Sequence, residues 1–352
     1  MNFALVGGAG FVGHHLALAL RKRSHRVVCI DALAVNNRLS LWESERSEPR
    51  VAAHLRMIDE RLALLSEAGA EIYTADARDY HYLSRLLRMV EAEVVVHLAA
   101  IAHIDRADKD PLSTFDHSLR TLENALDASK ALKMERFVYF SSSTVYGNFP
   151  KPVLTEEDEC RPFGIYGSLK LAGELIVKAY HQTFQLPYTI IRPMALYGPR
   201  CVSGRVTQKF IEAAILGESI TIQGDPTSKH DFTYIDDLVD GFELAMASEA
   251  GRNQTFNITA GDARSIGEVA GIVAKCFPNL LVVAGPADVS KPSRGTLSTR
   301  KARDLLGYKP KFNLVDGMAA YVDWYRQFWP REKEDAVSWK SPQGTCGRLG
   351  RS

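Results

Sequence analysis

The chain carries no excess of charge: 43 lysines and arginines face 42 aspartates and glutamates, a formal charge of +1. Nothing in that balance calls for nucleic acid, a membrane surface or another polyanion as partner. Cysteine is sparse. Cys29, Cys160, Cys201, Cys276 and Cys346 are odd in number, scattered, and never in a C-x-x-C arrangement. That argues against a disulfide framework or a structural zinc site and fits a reducing compartment. His, Cys and carboxylates nowhere cluster at metal-ligand spacing, so no metal is expected. No apolar run approaches the ~20 residues that span a bilayer. The N-terminus lacks a basic region ahead of its apolar run, and four glycines interrupt it, so it reads as a strand and not as a signal peptide. No internal repeat is visible. What remains is a cytoplasmic globular protein, 46% hydrophobic and 24% charged. At ~150 residues per domain, its 352 residues suggest about two domains.

The first half alternates short apolar runs with helical patterns. Strands are predicted at Phe3–Val6, Val27–Ile30, Glu71–Thr74, Val94–Leu98, Phe137–Phe140 and Tyr188–Arg192. Helices are predicted at Gly10–Arg21, Leu119–Leu132 and Tyr166–Phe184. Such alternation predicts an α/β fold of the Rossmann type: a doubly wound parallel sheet, helices on both faces, followed by a smaller mixed α/β domain. We expect residues 1–192, with 231–250 returning to them, to form a dinucleotide-binding domain. Residues 193–230 and 251–330 would form the substrate-binding domain, and 331–352 a mobile tail. The long stretch 32–75 reads as a solvated, ion-paired helical insertion, with a lid or dimer contact as the alternative. The C-terminal aromatics Trp324, Tyr325, Phe328 and Trp329 recur at helical spacing and read as packing residues.

Directly after the first strand stands Gly7-Gly8-Ala9-Gly10-Phe11-Val12-Gly13. Between an apolar strand and a helix, this G-x-x-G-x-x-G spacing marks a dinucleotide site. Gly7 permits the turn, Gly10 the approach of a pyrophosphate, and Gly13 the packing of helix on strand. The helix N-terminus, from Phe11 and Val12, offers N–H donors to phosphate. Asp31 ends the second strand, where a carboxylate accepts ribose hydroxyls and repels a 2′-phosphate, which favours NAD over NADP.

The strand Phe137–Phe140 runs into Ser141-Ser142-Ser143-Thr144-Val145-Tyr146-Gly147. Hydroxyls at the carboxyl end of a parallel strand face the ligand crevice. Tyr166 follows 24 residues after Ser142, and Lys170 lies one helical turn further on. A lysine beside the phenol, with a positively charged nicotinamide, would favour the phenolate and make Tyr166 a competent general base.

These motifs together resemble an extended short-chain dehydrogenase/reductase, within the NAD-dependent epimerase/dehydratase group that acts on sugar nucleotides. Asp76-Ala77, His97-Leu98-Ala99-Ala100, Arg192-Pro193 to Arg200, Asp231 to Asp237 and Leu305 to Pro310 extend the likeness over about residues 1–330. The resemblance implies that Ser142 and Tyr166 hydrogen-bond the reacting hydroxyl, with Ser143 the alternative should the register slip. It implies that Lys170 holds the nicotinamide ribose. It also puts Asp76, Ala77, Leu98, Ala99, Ala100 and Pro193 along the cofactor, and a homodimer on the Leu119 and Tyr166 helices.

The resemblance also ranks the reactions. The group's 4,6-dehydratases carry an Asp-Glu pair directly after the hydroxyl residue, and its decarboxylases a Glu just before V-Y-G; this chain has Ser143-Thr144. Neither side chain replaces a carboxyl group in proton transfer. A nucleotide-sugar epimerase, inverting carbon 4 through a keto sugar, is therefore expected. A dehydrogenase, reductase or dehydratase of the same group is the alternative, and a non-catalytic dinucleotide binder a third. His103, Ser143, Thr144, His230 and Arg294 are candidate substrate contacts. His230 stands where the group carries an arginine to the diphosphate, while Ala195 and Gln223 replace its usual Asn and aromatic residue.

Overall fold

A computed structural model describes residues 1–35, 37–41, 48–101, 104–285 and 293–329. The expected tail 331–352 lies outside them. The described residues build a parallel sheet of seven strands. From one edge these are Gln254–Asn257, Tyr188–Arg192, Arg136–Phe140, Val94–His97, Asn2–Val6, Arg26–Asp31 and Glu71–Thr74. Every residue of Val94–His97, Arg136–Phe140 and Tyr188–Arg192 is buried. Both faces of the sheet are covered, so these strands are near-continuous apolar runs rather than alternating ones.

Helices Phe11–Lys22 and Ile235–Ala247 pack on one face, around Leu16, Leu238 and Phe242. Helices Tyr80–Met89, Thr121–Lys130 and Gly164–Phe184 cover the other, around Leu87, Leu126 and Val177. The strand order steps outward from Asn2–Val6 in both directions. The carboxyl ends of Asn2–Val6 and Val94–His97 therefore open a crevice at the point of reversal.

The chain's return to the sheet extends further than the sequence indicates. Helix Ile235–Ala247 packs where expected, but Gln254–Asn257 then adds the edge strand beside Tyr188–Arg192. Its four residues mix Gln, Thr, Phe and Asn, too short and too polar to stand out as a strand.

Helices Val206–Ile215, Ile266–Cys276 and Leu314–Phe328 share a second core around Phe210, Ile211, Val273 and Tyr321. Tyr325 and Phe328 are buried in it, as packing residues. Helix Pro49–Glu67 joins this core through Met57. The sequence reading of 32–75 as a solvated insertion therefore needs correction. The segment does contain a helix with ion pairs, but one side of that helix is buried, including the fully buried Arg61. A mean composition full of arginine concealed a cation placed on the inward face.

Candidate active site

The crevice between the sheet and the second core is lined by Gly7, Gly10, Phe11, Val12, Gly13, Asp31, Asp76, Ala77, Leu98, Ala99, Ala100, Tyr166, Lys170 and Pro193. These fourteen positions, spread over most of the Rossmann half, come from the sequence reading; the fold brings them to one surface. Gly7 sits at φ +87°, and a Cβ there would lie 2.8 Å from the Ala99 nitrogen. A Cβ at Gly13 would lie 2.6 Å from the Gly7 carbonyl oxygen, so the helix packs on the turn with no room for a side chain. Both positions thus require glycine for stated reasons.

The cleft suits a dinucleotide. No side chain caps the N-terminus of helix Phe11–Lys22, whose first residues line the cleft and offer unpaired N–H groups to an anion. Asp31 is held by two backbone donors, Ala9 N–H to Oδ2 at 3.0 Å and Leu33 N–H to Oδ1 at 2.8 Å. Burial raises its pKa, opposed by those two hydrogen bonds and by Arg61. Each carboxylate oxygen retains acceptor capacity for a ribose hydroxyl.

Ser142, Tyr166 and Lys170 meet at the carboxyl end of strand Arg136–Phe140. Three consecutive residues there engage three successive turns of helix Gly164–Phe184. Phe140 accepts from Lys170 Nζ at 2.7 Å, the Ser141 hydroxyl donates to Glu174, and Ser142 acts on the Tyr166 phenol, lowering its pKa. The Ser142 Oγ also accepts the Thr144 N–H at 3.2 Å, capping the turn Ser143–Tyr146. Of the three serines in this run, Ser141 lines the cleft.

Burial pushes the Tyr166 pKa up, and the groups opposing it are the Arg205 guanidinium and the Ser142 hydrogen bond. Lys170 Nζ lies 6.0 Å from the phenol ring centroid and donates to the Phe140 carbonyl. Burial lowers the Lys170 pKa to about 8, with Glu174 pulling it back up. A lysine four residues along the helix shares a face with the tyrosine, but its long chain lets the ammonium point toward the strand instead.

Arg205 is the residue the sequence reading missed. It lines the cleft with Ser203, His117 and Thr121, and its buried Nε has no hydrogen-bond partner. It follows Gly204 in an irregular loop, with no spacing to mark it. Arg294 donates to the Ser143 and Gly147 carbonyls, each at 3.2 Å, and so buttresses the serine turn from behind. Burial lowers its pKa to about 10. Ser143 and Thr144 are buried in that turn, and the Thr144 Oγ1 has no partner. His230 lies half-buried on the two-stranded ribbon of Lys229–Asp231 and Ala263–Ser265, its ring 5.7 Å from Phe232, and is not among the residues lining the cleft. His103 lies outside the described residues. No metal-binding cluster occurs among the described residues.

The model of the NAD dependent epimerase/dehydratase family matches residues 4–259, glycine turn, serine turn and tyrosine helix included. The chain belongs to that family. This epimerase/dehydratase chain is 30% identical to UDP-glucuronate 4-epimerase 1 of Arabidopsis thaliana, over 94% of its own length and 77% of the relative's. Among solved structures it is similar to UDP-glucuronic acid 4-epimerase of Bacillus cereus in complex with UDP-glucuronic acid and NAD. That likeness has a TM-score of 0.82 and 27% identity, and covers 94% of this chain and all of the other. UDP-glucose 4-epimerase of Thermotoga maritima with UDP-glucose gives a TM-score of 0.80 at 26% identity, covering 93% and 99%.

Proposed function

We propose that the protein is an NAD-dependent nucleotide-sugar epimerase that inverts carbon 4 of a UDP-sugar. The observation that carries the reading is Tyr166 and Lys170 on the wall of a glycine-turned cleft, beside a serine turn that holds no carboxylate. Tyr166 as phenolate removes the proton of the sugar's 4-hydroxyl, while Ser142 hydrogen-bonds the same oxygen. Arg205 and Ser142 stabilise the phenolate against burial. Lys170 is held by the Phe140 carbonyl in place to meet the nicotinamide ribose. NAD, when bound, supplies the hydride acceptor and donor for carbon 4. After the keto sugar turns over in the site, Tyr166 returns the proton to the opposite epimer. Without a carboxyl group at Ser143-Thr144, the chain has no acid and base there for eliminating water.

A more specific reading follows from Arg205. A guanidinium beside Tyr166 with no side-chain acceptor suits a sugar that bears a carboxylate next to the reacting carbon. UDP-glucuronate then fits better than UDP-glucose, and two of the relatives compared above bear that substrate in their names. Arg294, behind the serine turn, is available to the diphosphate.

The protein works as a homodimer in the cytoplasm. Support for the dimer comes from exposed apolar side chains on two touching helices, Leu112 and Phe115 on Pro111–Phe115, Leu175 and Phe184 on Gly164–Phe184. No described helix is long and apolar enough to cross a membrane, and the four described cysteines are free, in keeping with a reducing compartment.

The test is NMR of UDP-glucuronate and UDP-glucose incubated with enzyme and substoichiometric NAD, with NADH absorbance followed in parallel. Conversion to the 4-epimer beyond the NAD supplied is expected. One NADH per product would make the protein a dehydrogenase.

A further inference from the structure

Helix Pro49–Glu67 grips the chain on both sides of Arg205. On the near side, the fully buried Arg61 donates to the Arg200 carbonyl from Nε at 3.0 Å and also from Nη2. Arg200 has φ +63°, a left-handed conformation disfavoured for a side chain of this size, so its backbone is held there by its surroundings. The holding groups are specific. Arg200 Nε meets His14 Nε2 at 3.0 Å and its Nη1 meets Glu60 at 3.4 Å, while His15 Nε2 meets the Pro199 carbonyl at 3.2 Å. His14 and His15 belong to the helix whose N-terminus lines the cofactor cleft.

On the far side, the buried Glu212 Oε1 accepts from His54 Nε2 at 2.8 Å, Gln208 Nε2 at 3.0 Å and the Tyr325 hydroxyl at 2.8 Å. This fixes the amide of Gln208, itself buried, so that its Oε1 accepts the Gly204 N–H at 2.8 Å. Gly204 immediately precedes Arg205. Arg50 adds an ion pair to Glu218, just beyond the end of helix Val206–Ile215. His54 and Arg61 are seven residues apart, two turns, and so lie on one face of their helix.

We propose that helix Pro49–Glu67 is a positioning element for Arg205: Arg61 fixes the loop at Arg200, and His54, through Glu212 and Gln208, fixes it at Gly204. The inference rests on the reading that Arg205 meets the carboxylate of a uronic acid. It makes Arg61 and Gln208 determinants of substrate choice although neither touches the sugar. A loop held at only one end would let the guanidinium drift from the geometry that a carboxylate requires, and misplacement of ~1 Å is enough to matter.

The test uses the NAD-loaded enzyme and five variants: Arg205→Met, Arg61→Met, Gln208→Met, and each of the last two combined with Arg205→Met. KM and kcat are measured for UDP-glucuronate and UDP-glucose. Arg61→Met and Gln208→Met are each expected to raise KM for UDP-glucuronate about tenfold relative to KM for UDP-glucose, while any fall in kcat, from weaker support of the Tyr166 phenolate, is shared by both sugars. In the Arg205→Met background neither should add a further loss, because both act through a side chain already removed. An equal rise in KM for both sugars, or losses that add to that of Arg205→Met, would overturn the proposal and leave the helix a purely structural strut. If Arg205→Met itself spares UDP-glucuronate, the uronate reading fails instead, whatever the other variants do. Should Arg61→Met not fold, Gln208→Met carries the same cycle alone.

Discussion

Glu174 and Arg192 form a two-pronged ion pair, Nε to Oε1 at 2.8 Å and Nη2 to Oε2 at 2.6 Å, buried behind the Lys170–Phe140 contact. Glu174 also takes the Ser141 hydroxyl, and Arg192 the phenolic oxygen of Tyr146 at 2.8 Å. The pair thus joins the ends of two central strands to the helix that carries Tyr166. Substituting Glu174→Ala leaves a guanidinium buried without its partner and is expected to cost about 3–5 kcal/mol of stability. Replacing both partners by apolar residues of similar size, Glu174→Met with Arg192→Met, should cost less than either single change. Urea unfolding of the three variants at neutral pH checks this; a double variant as unstable as the worse single one would contradict it.

Tyr166→Phe removes the proton acceptor and nothing else from the cleft wall. Turnover of UDP-sugars should fall by about 10²–10⁴-fold, with NAD binding retained. Initial rates by NMR alongside NAD fluorescence titration separate the two effects. Undiminished turnover would mean that another group is the base.

Asp31→Ala takes away the acceptor held by Ala9 and Leu33. The charged hydrogen bonds it offers the ribose are worth about 1.5–3 kcal/mol, so NAD affinity should fall roughly 10- to 100-fold. Loss of the carboxylate also relieves repulsion of a 2′-phosphate, and the preference for NAD over NADP should narrow. Calorimetric titration with both dinucleotides gives the ratio directly.

Lys170 provides a pH test. Burial lowers its pKa to about 8 in the folded chain, below the ordinary 10.5. Between those values the unfolded chain holds the proton and the folded chain does not. Stability from this group therefore rises with pH from about 8 to 10.5, with a steepest slope of about 1.4 kcal/mol per pH unit. At pH 7 the charged ammonium costs stability that Lys170→Met would not. The difference in unfolding free energy between wild type and Lys170→Met should move in favour of the wild type across that window; a flat difference would refute the shift.

The sheet was legible because its strands are covered on both faces and so read as unbroken apolar runs. The cofactor cleft was legible because glycines in a fixed spacing leave a mark that no other chemistry imitates. The choice of Ser142 over Ser143 rested on the family resemblance, since adjacent serines are alike in type. Arg205 was not legible, since an arginine in an irregular loop looks like any surface cation until the fold shows which way it faces. Arg61 was hidden for a related reason: the inserted helix carries so many charged groups that its hydrophobic signal is weak, and the buried member of the set is indistinguishable by type from the exposed ones.

The edge strand Gln254–Asn257 has one further consequence. A fragment that stops after Arg192 would contain the whole glycine turn, Asp31, the serine turn and the tyrosine helix, yet its strand Tyr188–Arg192 would face solvent along an unpaired hydrogen-bonding edge. The backbone of Thr189–Arg192, buried in the intact chain, would be free to recruit a strand from another molecule. The dinucleotide half is therefore not a detachable module: it depends on a later part of the chain to keep its sheet from growing.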